Sequence, residues 1–134
     1  MNAFELKIVS PDGLLYSGQA QQLTVRTTSG EMGILAGHIP CVAPLGMGRA
    51  TVVIDGKPRY AACIGGMVSV TSQLVTLVAT TFEWAEDIDA VRAKLSQERA
   101  ESILAKKDTS STDIQLAQAR LRRALVRQSV ASAK

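Results

Sequence analysis

The feature that most constrains the fold is a single change in hydrophobic period near residue 85. Before that point, short runs alternate apolar and polar residues, and QQLTVRT (21–27) places Leu23 and Val25 on one face. After it, residues 88–107 contain no glycine or proline and are rich in Ala, Leu, Glu, Lys and Arg, which is typical of helix. The pattern predicts an α+β chain in two parts, with strands in residues 1–84 and helices in residues 85–134.

The strand-like half contains two predicted hairpins. Asp55-Gly56 separates RATVVI (49–54) from KPRYAACI (57–64), and Asp-Gly favours a tight turn whose positive φ angles match the twist of the strands. GMVSVTS (66–72) and QLVTLVATTF (73–82) form the second pair. Many short strands at close spacing predict an antiparallel β-sandwich, or flattened barrel.

The helical half is predicted to form an antiparallel αα-hairpin. Asp87 is the expected cap of the first helix, and Thr112 or Asp113 is the expected cap of a second helix that reaches about Val130. The polar run 108–112 separates the two helices. The predicted apolar stripes are Ile88, Val91, Leu95 and Ile103 on the first helix, and Ile114, Ala117, Leu121 and Leu125 on the second.

Catalytic motifs are absent from the sequence. His38 is the only histidine, and no GxSxG, HExxH, GxGxxG or GxxxxGK[ST] pattern occurs. The segment SGEMGILAGHIP (29–40) lacks the spacing of a phosphate loop, so we expect Gly30, Gly33 and Gly37 to allow turns and close approaches around a short strand. We therefore predict no catalytic residue, no metal site and no enzymatic activity, with a hydrolase that depends on His38 as a weak alternative.

The cysteines and the hydropathy of the sequence indicate the cellular compartment in which the chain is expected. Cys41 and Cys63 lie among apolar residues without metal-binding spacing, so they are predicted to be reduced core residues, although a disulfide between them stays open. There is no run of eighteen apolar residues, and the first residues lack the basic and apolar regions of a signal peptide. These observations predict no membrane span and a cytosolic location.

The net charge of +3 lies entirely in the helical half of the chain. Residues 1–84 hold five basic and five acidic residues, whereas residues 85–134 hold ten basic and seven acidic residues. This asymmetry indicates an anionic partner. Because residues 85–134 contain no aromatic side chain on which bases could stack, we do not expect nucleic acid. The alternative kept open is a β-sandwich adaptor whose basic helical tail docks on an acidic protein or RNA.

Four arginines allow two interpretations. Arg92 and Arg99 fall in the same sector as the apolar stripe of the first helix, and Arg123 and Arg127 stack at i,i+4 spacing on the second. Arg92 and Arg99 could snorkel to the edge of the stripe, with Arg92 paired to Asp89, while the second helix presents a solvated basic face. Alternatively, all four guanidinium groups could converge on a diphosphate or triphosphate, whose oxygens match their forked donors.

The segments FELKIVSPDGLLY (4–16) and SGEMGILAGHIP (29–40), with Gly65-Gly66 and a helical pair at the C-terminal end, closely resemble the epsilon subunit of bacterial F-type ATP synthases. The resemblance implies a non-catalytic rotor subunit in the central stalk that couples proton flow to ATP synthesis. It implies the gamma subunit and the c-subunit ring as partners, with Glu31 and His38 at the rotor contact. It places the chain on the cytoplasmic side of the cell membrane, attached only through the complex.

The resemblance also implies a regulatory role for the helices. They fold down against the sandwich or extend toward the alpha/beta catalytic hexamer, and extension inhibits ATP hydrolysis. No cofactor is required, but ATP is expected as a regulatory ligand of the folded-down hairpin through a motif that IDAVRA (88–93) matches. The ATP-binding residues carried over by the resemblance are Glu83, Ile88, Asp89, Arg92, Ala93, Arg99, Arg123 and Arg127.

Overall fold

A computed structural model describes residues 2–106 and 110–132. The strands are β1 (Phe4–Ser10), β2 (Gly13–Ala20), β3 (Gln22–Thr27), β4 (Gly30–Leu35), β5 (Cys41–Pro44), β6 (Met47–Ile54), β7 (Lys57–Val70) and β8 (Val75–Trp84). A short 3-10 helix (Ala85–Asp87) leads into α1 (Ala90–Leu104) and α2 (Ser111–Ala131). The predicted fold class, a β-sandwich followed by a helical hairpin, is confirmed.

The strands follow the order β2-β1-β8-β7-β6-β3-β4, and β5 pairs with the second half of β7. β7 pairs with β6 before Gly65-Gly66 and with β5 after it, and both glycines have positive φ. Gly66 has a φ of 117°, and a Cβ there would lie 2.0 Å from the Val78 carbonyl oxygen, so only glycine fits. β1 and β8 run parallel, a pairing that the sequence did not predict, and the other pairs are antiparallel.

Both predicted hairpins are confirmed, because β7 pairs antiparallel with β6 and with β8. Asp55 and Gly56 take φ angles of 52° and 76° between β6 and β7, as the Asp-Gly turn requires. Gly30 and Gly37 also adopt positive φ at the two ends of β4. The prediction for Gly33 was wrong, because Gly33 has ordinary φ within β4 and an added Cβ would meet open space.

The sandwich core is built from inward-facing residues, which alternate with outward-facing residues along each strand. Its largest fully buried members include Leu6, Ile8, Leu23, Ile34 and Leu77. Cys63 lies in this core, where burial raises the pKa of its thiol to about 12, and Cys41 packs against the edge. Both thiols are free in this structure, and Cys63 is a core residue as predicted, whereas Cys41 is half-buried.

α1 starts two residues later than expected and buries a different face. Asp89 caps the helix by accepting a hydrogen bond from the Arg92 backbone N–H at 3.0 Å, whereas the predicted cap Asp87 lies in the 3-10 helix. The predicted stripe was wrong at Val91 and Leu95, which are 72% and 49% exposed, whereas Ile88, just before the helix, is buried. The buried positions of α1 are Ala93 and Ala100.

α2 packs against α1 through small residues as well. Ala117, as predicted, and Ala124 are fully buried, whereas Leu125 is exposed. Ser110, not Thr112 or Asp113, caps α2 by accepting from the Asp113 N–H at 3.2 Å. Residues 107–109, which fall within the predicted first helix and interhelical break, lie outside the described residues.

The hairpin lies folded down on the sandwich through one small apolar cluster. Its buried members are Ala62 of β7, Ala85, Ile88 and Val130 of α2, and Tyr60 packs at its edge. A Gln128 amide donates to the Gln97 side-chain oxygen at 2.6 Å and joins α2 to α1. Alanines bury little area, so the hairpin gains less from the hydrophobic effect than the sandwich core does.

Candidate functional site

A polar cleft of about 480 Å³ lies where the hairpin leaves the sandwich. The end of β8, the start of α1, and α2 form its walls, and the turn between β1 and β2 closes one side. Its lining residues that bear on binding are Asp12, Glu83, Asp87, Asp89, Arg92 and Arg127. We call this the junction cleft. A ligand bound in it would contact both helices and the sandwich.

An ion pair crosses the junction cleft. The Nε of Arg127 on α2 donates to the Glu83 carboxylate on β8 at 2.6 Å, and each side chain is about a third exposed. A pair at this level of exposure is screened by water and contributes little stability by itself. Its position matters more, because it aims the Arg127 guanidinium into the cleft from the second helix.

Arg92 projects into the same cleft without a compensating carboxylate. Its backbone N–H is bonded by the Asp89 side chain, but its guanidinium makes no ion pair within residues 2–106 and 110–132. The expected Arg92–Asp89 ion pair is therefore not formed, because the Asp89 carboxylate caps the helix instead. Arg92 is the cation of the cleft that is available to an anionic ligand.

The cleft collects five of the eight residues carried over as ATP contacts. Glu83, Asp89, Arg92, Ala93 and Arg127 line it. The other three do not: Ile88 is buried in the apolar cluster below the hairpin, and neither Arg99 nor Arg123 lines the junction cleft. That any of the eight binds ATP stays a prediction.

Five lining residues were not among the predicted site residues: Asp12, Thr81, Phe82, Asp87 and Ser96. Ser96 is one turn beyond Arg92 on α1, so helical spacing from the motif could have found it. Asp12 follows β1, and the parallel β1–β8 pairing, in which Val9 faces Val78, carries it alongside the end of β8. No local pattern signals that pairing.

The junction cleft is lined by charged side chains of both signs. Its described lining residues include four carboxylates and two arginines. Across the described part of the chain, no group of His, Cys, Asp and Glu side chains is arranged to hold a metal ion.

The two residues expected at the rotor contact lie apart. Glu31 is exposed near the start of β4, and His38 follows the end of that strand, with Nδ1 2.7 Å from the Ile39 carbonyl oxygen. They border different parts of the sandwich surface, so a single small contact does not include both.

A row of apolar side chains crosses the outer face of one sandwich layer, which the sequence did not single out. Register places these residues as direct cross-strand neighbours in the order Pro44, Met67, Val78, Val9 and Leu14. Met67, Val78 and Leu14 are 44%, 48% and 60% exposed. This outer row is a contiguous apolar strip of the kind that marks a protein interface.

Two family models match the chain. The one described as "ATP synthase, Delta/Epsilon chain, beta-sandwich domain" matches residues 3–85, and the one described as "ATP synthase, Delta/Epsilon chain, long alpha-helix domain" matches residues 86–132. The chain belongs to the ATP synthase delta/epsilon chain family. The resemblance read from residues 4–16 and 29–40 is thereby confirmed.

Members of the family from bacteria are similar over the whole chain. The ATP synthase epsilon chain of Ruminococcus albus is 41% identical over 135 residues, which cover all of both chains. The ATP synthase epsilon chain of Bacillus velezensis is 42% identical over 131 residues, which cover 98% of each.

Solved structures share the fold of the family. A chain of the Euglena gracilis mitochondrial ATP synthase aligns with a TM-score of 0.83 at 24% identity, covering 98% of this chain and 82% of that one. A chain of the Tetrahymena thermophila mitochondrial ATP synthase central stalk and c-ring gives 0.62 at 12% identity, covering 97% of each. Neither helix described here is long and apolar enough to cross a membrane.

Proposed function

We propose that this chain is a non-catalytic rotor subunit of an F-type ATP synthase and that its helical hairpin regulates ATP hydrolysis. Its family, the names of its bacterial relatives and a shared fold along almost the whole chain support this role. The subunit sits in the central stalk, where it couples ion flow to ATP synthesis. It is held peripherally at the cytoplasmic side of the cell membrane by the complex.

The junction cleft is the observation that supports ATP as the regulatory ligand. Arg92 from α1 and Arg127 from α2 line it together with the end of β8. ATP bound between them holds the hairpin in the folded-down form, because a ligand shifts a two-state equilibrium by its differential affinity. When ATP leaves, the arginine-rich α2 extends toward acidic surface on the alpha/beta hexamer and inhibits hydrolysis.

The outer row is the proposed contact with the gamma subunit. Its exposed side chains form an apolar strip on the layer that the hairpin does not cover, since α2 contacts β6 and β7 and the cluster below the hairpin includes Tyr60 and Ala62 of the first half of β7. Burying such a strip against a partner is favourable at about 25 cal/mol per Å². The exposed turn at His38 and the exposed Glu31 are proposed as the contacts with the rest of the rotor.

A charge placed in the outer row tests this assignment. We expect Met67→Lys to lower recovery of the gamma subunit in co-purification, because it buries an unpaired ammonium in the interface. The matched control is Gln22→Lys on the exposed, outer face of the other layer, which is expected to retain gamma. Equal recovery of gamma with both variants would remove the outer row from the interface.

A further inference from the structure

A second cleft, of about 690 Å³, is lined by residues of α2 and of the sandwich, none of which lines the junction cleft. Its walls are mostly apolar, formed by Leu45, Met47 and Ile64 of the sandwich and by Leu125 and Val126 of α2. A volume of this size and an apolar lining with a few charged groups are typical of small-molecule sites. We call it the arginine cleft, because Arg26 and Arg122 are the charged residues that line it in the described part of the chain.

Neither arginine forms an ion pair with a carboxylate among the described residues. Within the described residues, the ion pairs are Arg59–Glu86 and Arg127–Glu83, and neither involves Arg26 or Arg122. One turn away from Arg122 on α2 stand Gln118 and Val126. Glu31 lies opposite Arg26 on β4, but it forms no ion pair with it and is not part of the cleft lining.

The fold holds Arg26 in place over a glycine. A Cβ at Gly48 would lie 2.9 Å from the Arg26 Cβ and 3.0 Å from its Cδ. Any residue other than glycine at position 48 would therefore displace the aliphatic part of the Arg26 side chain. The Arg26 carbonyl also accepts a hydrogen bond from the Gly46 N–H at 2.9 Å. The guanidinium is thus carried on a fixed strand and a packed stem.

We propose that the arginine cleft binds an amphiphilic anion, an alkyl or acyl chain that ends in a carboxylate or a phosphate. The apolar walls receive the chain, and the forked donors of Arg26 and Arg122 pair with the anionic oxygens at the mouth. This site shares no lining residue with the junction cleft, and the proposal does not depend on ATP binding.

Occupancy of the arginine cleft favours the folded-down hairpin. The ligand contacts the sandwich through Leu45 and Ile64 and contacts α2 through Arg122 and Val126, so the complete site exists only while α2 is docked. A ligand that binds only one state stabilises that state by mass action. The cleft is therefore a second point at which a small molecule biases the hairpin.

The test is a titration of the full chain with decyl phosphate and, separately, with decanoate, each below its critical micelle concentration, followed by NMR. We expect saturable shifts at Leu45, Ile64 and Val126 and slower amide hydrogen exchange in α2. Arg26→Gln with Arg122→Gln is expected to weaken binding at least about tenfold, and inorganic phosphate to bind at least about tenfold more weakly than decyl phosphate. Binding by only one of the two amphiphiles identifies the headgroup that the site takes.

The control variant is Arg120→Gln, which removes an exposed arginine of α2 outside the cleft and is expected to bind like the unchanged chain. Three outcomes would overturn the proposal: equal binding by the double variant, shifts located away from the cleft, or affinity for inorganic phosphate that equals that for decyl phosphate. Because ATP is not part of the titration, failure here leaves the junction cleft proposal standing.

Discussion

Arg92→Ala is expected to lower the affinity of the isolated chain for ATP by about 10-fold to 100-fold. The reason is that Arg92 is the guanidinium in the junction cleft without a carboxylate partner, and a hydrogen bond to a charged group contributes about 1.5–3 kcal/mol. Arg127 is expected to contribute less to phosphate binding, because its guanidinium already pairs with Glu83. Calorimetric titration with ATP measures the change directly.

The control for this prediction is Lys94→Ala. Lys94 is an exposed cation on the same helix that faces a different groove, so it tests whether any lost positive charge weakens ATP binding. Arg92 is exposed and unpaired in the described structure, so its removal should leave the melting temperature of the sandwich unchanged. Unchanged affinity in Arg92→Ala, or an equal loss in Lys94→Ala, would contradict the assignment.

Ala124→Leu is expected to push the two helices apart while the sandwich stays folded. Ala124 has no solvent-exposed surface, so the three carbon atoms that leucine adds have no space between α1 and α2. Overpacking costs about 1–3 kcal/mol, which corresponds to amide hydrogen exchange in the helices that is about 5-fold to 150-fold faster. Exchange in β1 and β3 should not change, because their buried residues belong to the sandwich core and not to the cluster below the hairpin.

Gln118→Leu is the matched control, since it places the same side chain on the exposed side of α2. We expect its exchange rates to equal those of the unchanged chain. If Ala124→Leu leaves helix exchange unaffected, the two helices are not packed through their alanines, and the account of the hairpin as a weakly held element fails.

Local chemistry made most of the sandwich predictable. Alternation in residues 21–27 and the Asp55-Gly56 turn act over a few residues, and both were read correctly. The parallel pairing of β1 with β8 joins residues about seventy positions apart, and no turn or period records it. The presence of Asp12 in the junction cleft was therefore not predicted from the sequence.

The buried faces of the helices were predicted wrongly because the most hydrophobic residues were expected to be the buried ones. Leu95 and Val91 are the more apolar residues of α1, but Ala93 and Ala100 allow the closer approach of α2 and are the ones buried. Asp87 and Asp89 are equally good caps by residue type, and the 3-10 helix at Ala85–Asp87 decides between them. The IDAVRA motif nevertheless located the α1 side of the cleft from sequence alone.

The claim that ATP holds the hairpin down is tested most directly by a distance between α2 and the sandwich. Spin labels at Ser129→Cys and Lys57→Cys occupy exposed positions on the two parts. Cys41→Ala removes one native thiol, and the buried Cys63, with its pKa of about 12, resists labelling. Gln128→Ala, which removes the hydrogen bond to Gln97, provides a version biased toward the open form.

Without ATP, the Gln128→Ala chain is expected to show a broad distribution that includes long distances. Saturating ATP should collapse it to the single short distance of the folded-down hairpin, and Arg92→Ala should raise the ATP concentration that this requires. A distribution that ATP leaves unchanged, at concentrations where calorimetry shows the site filled, would contradict the account.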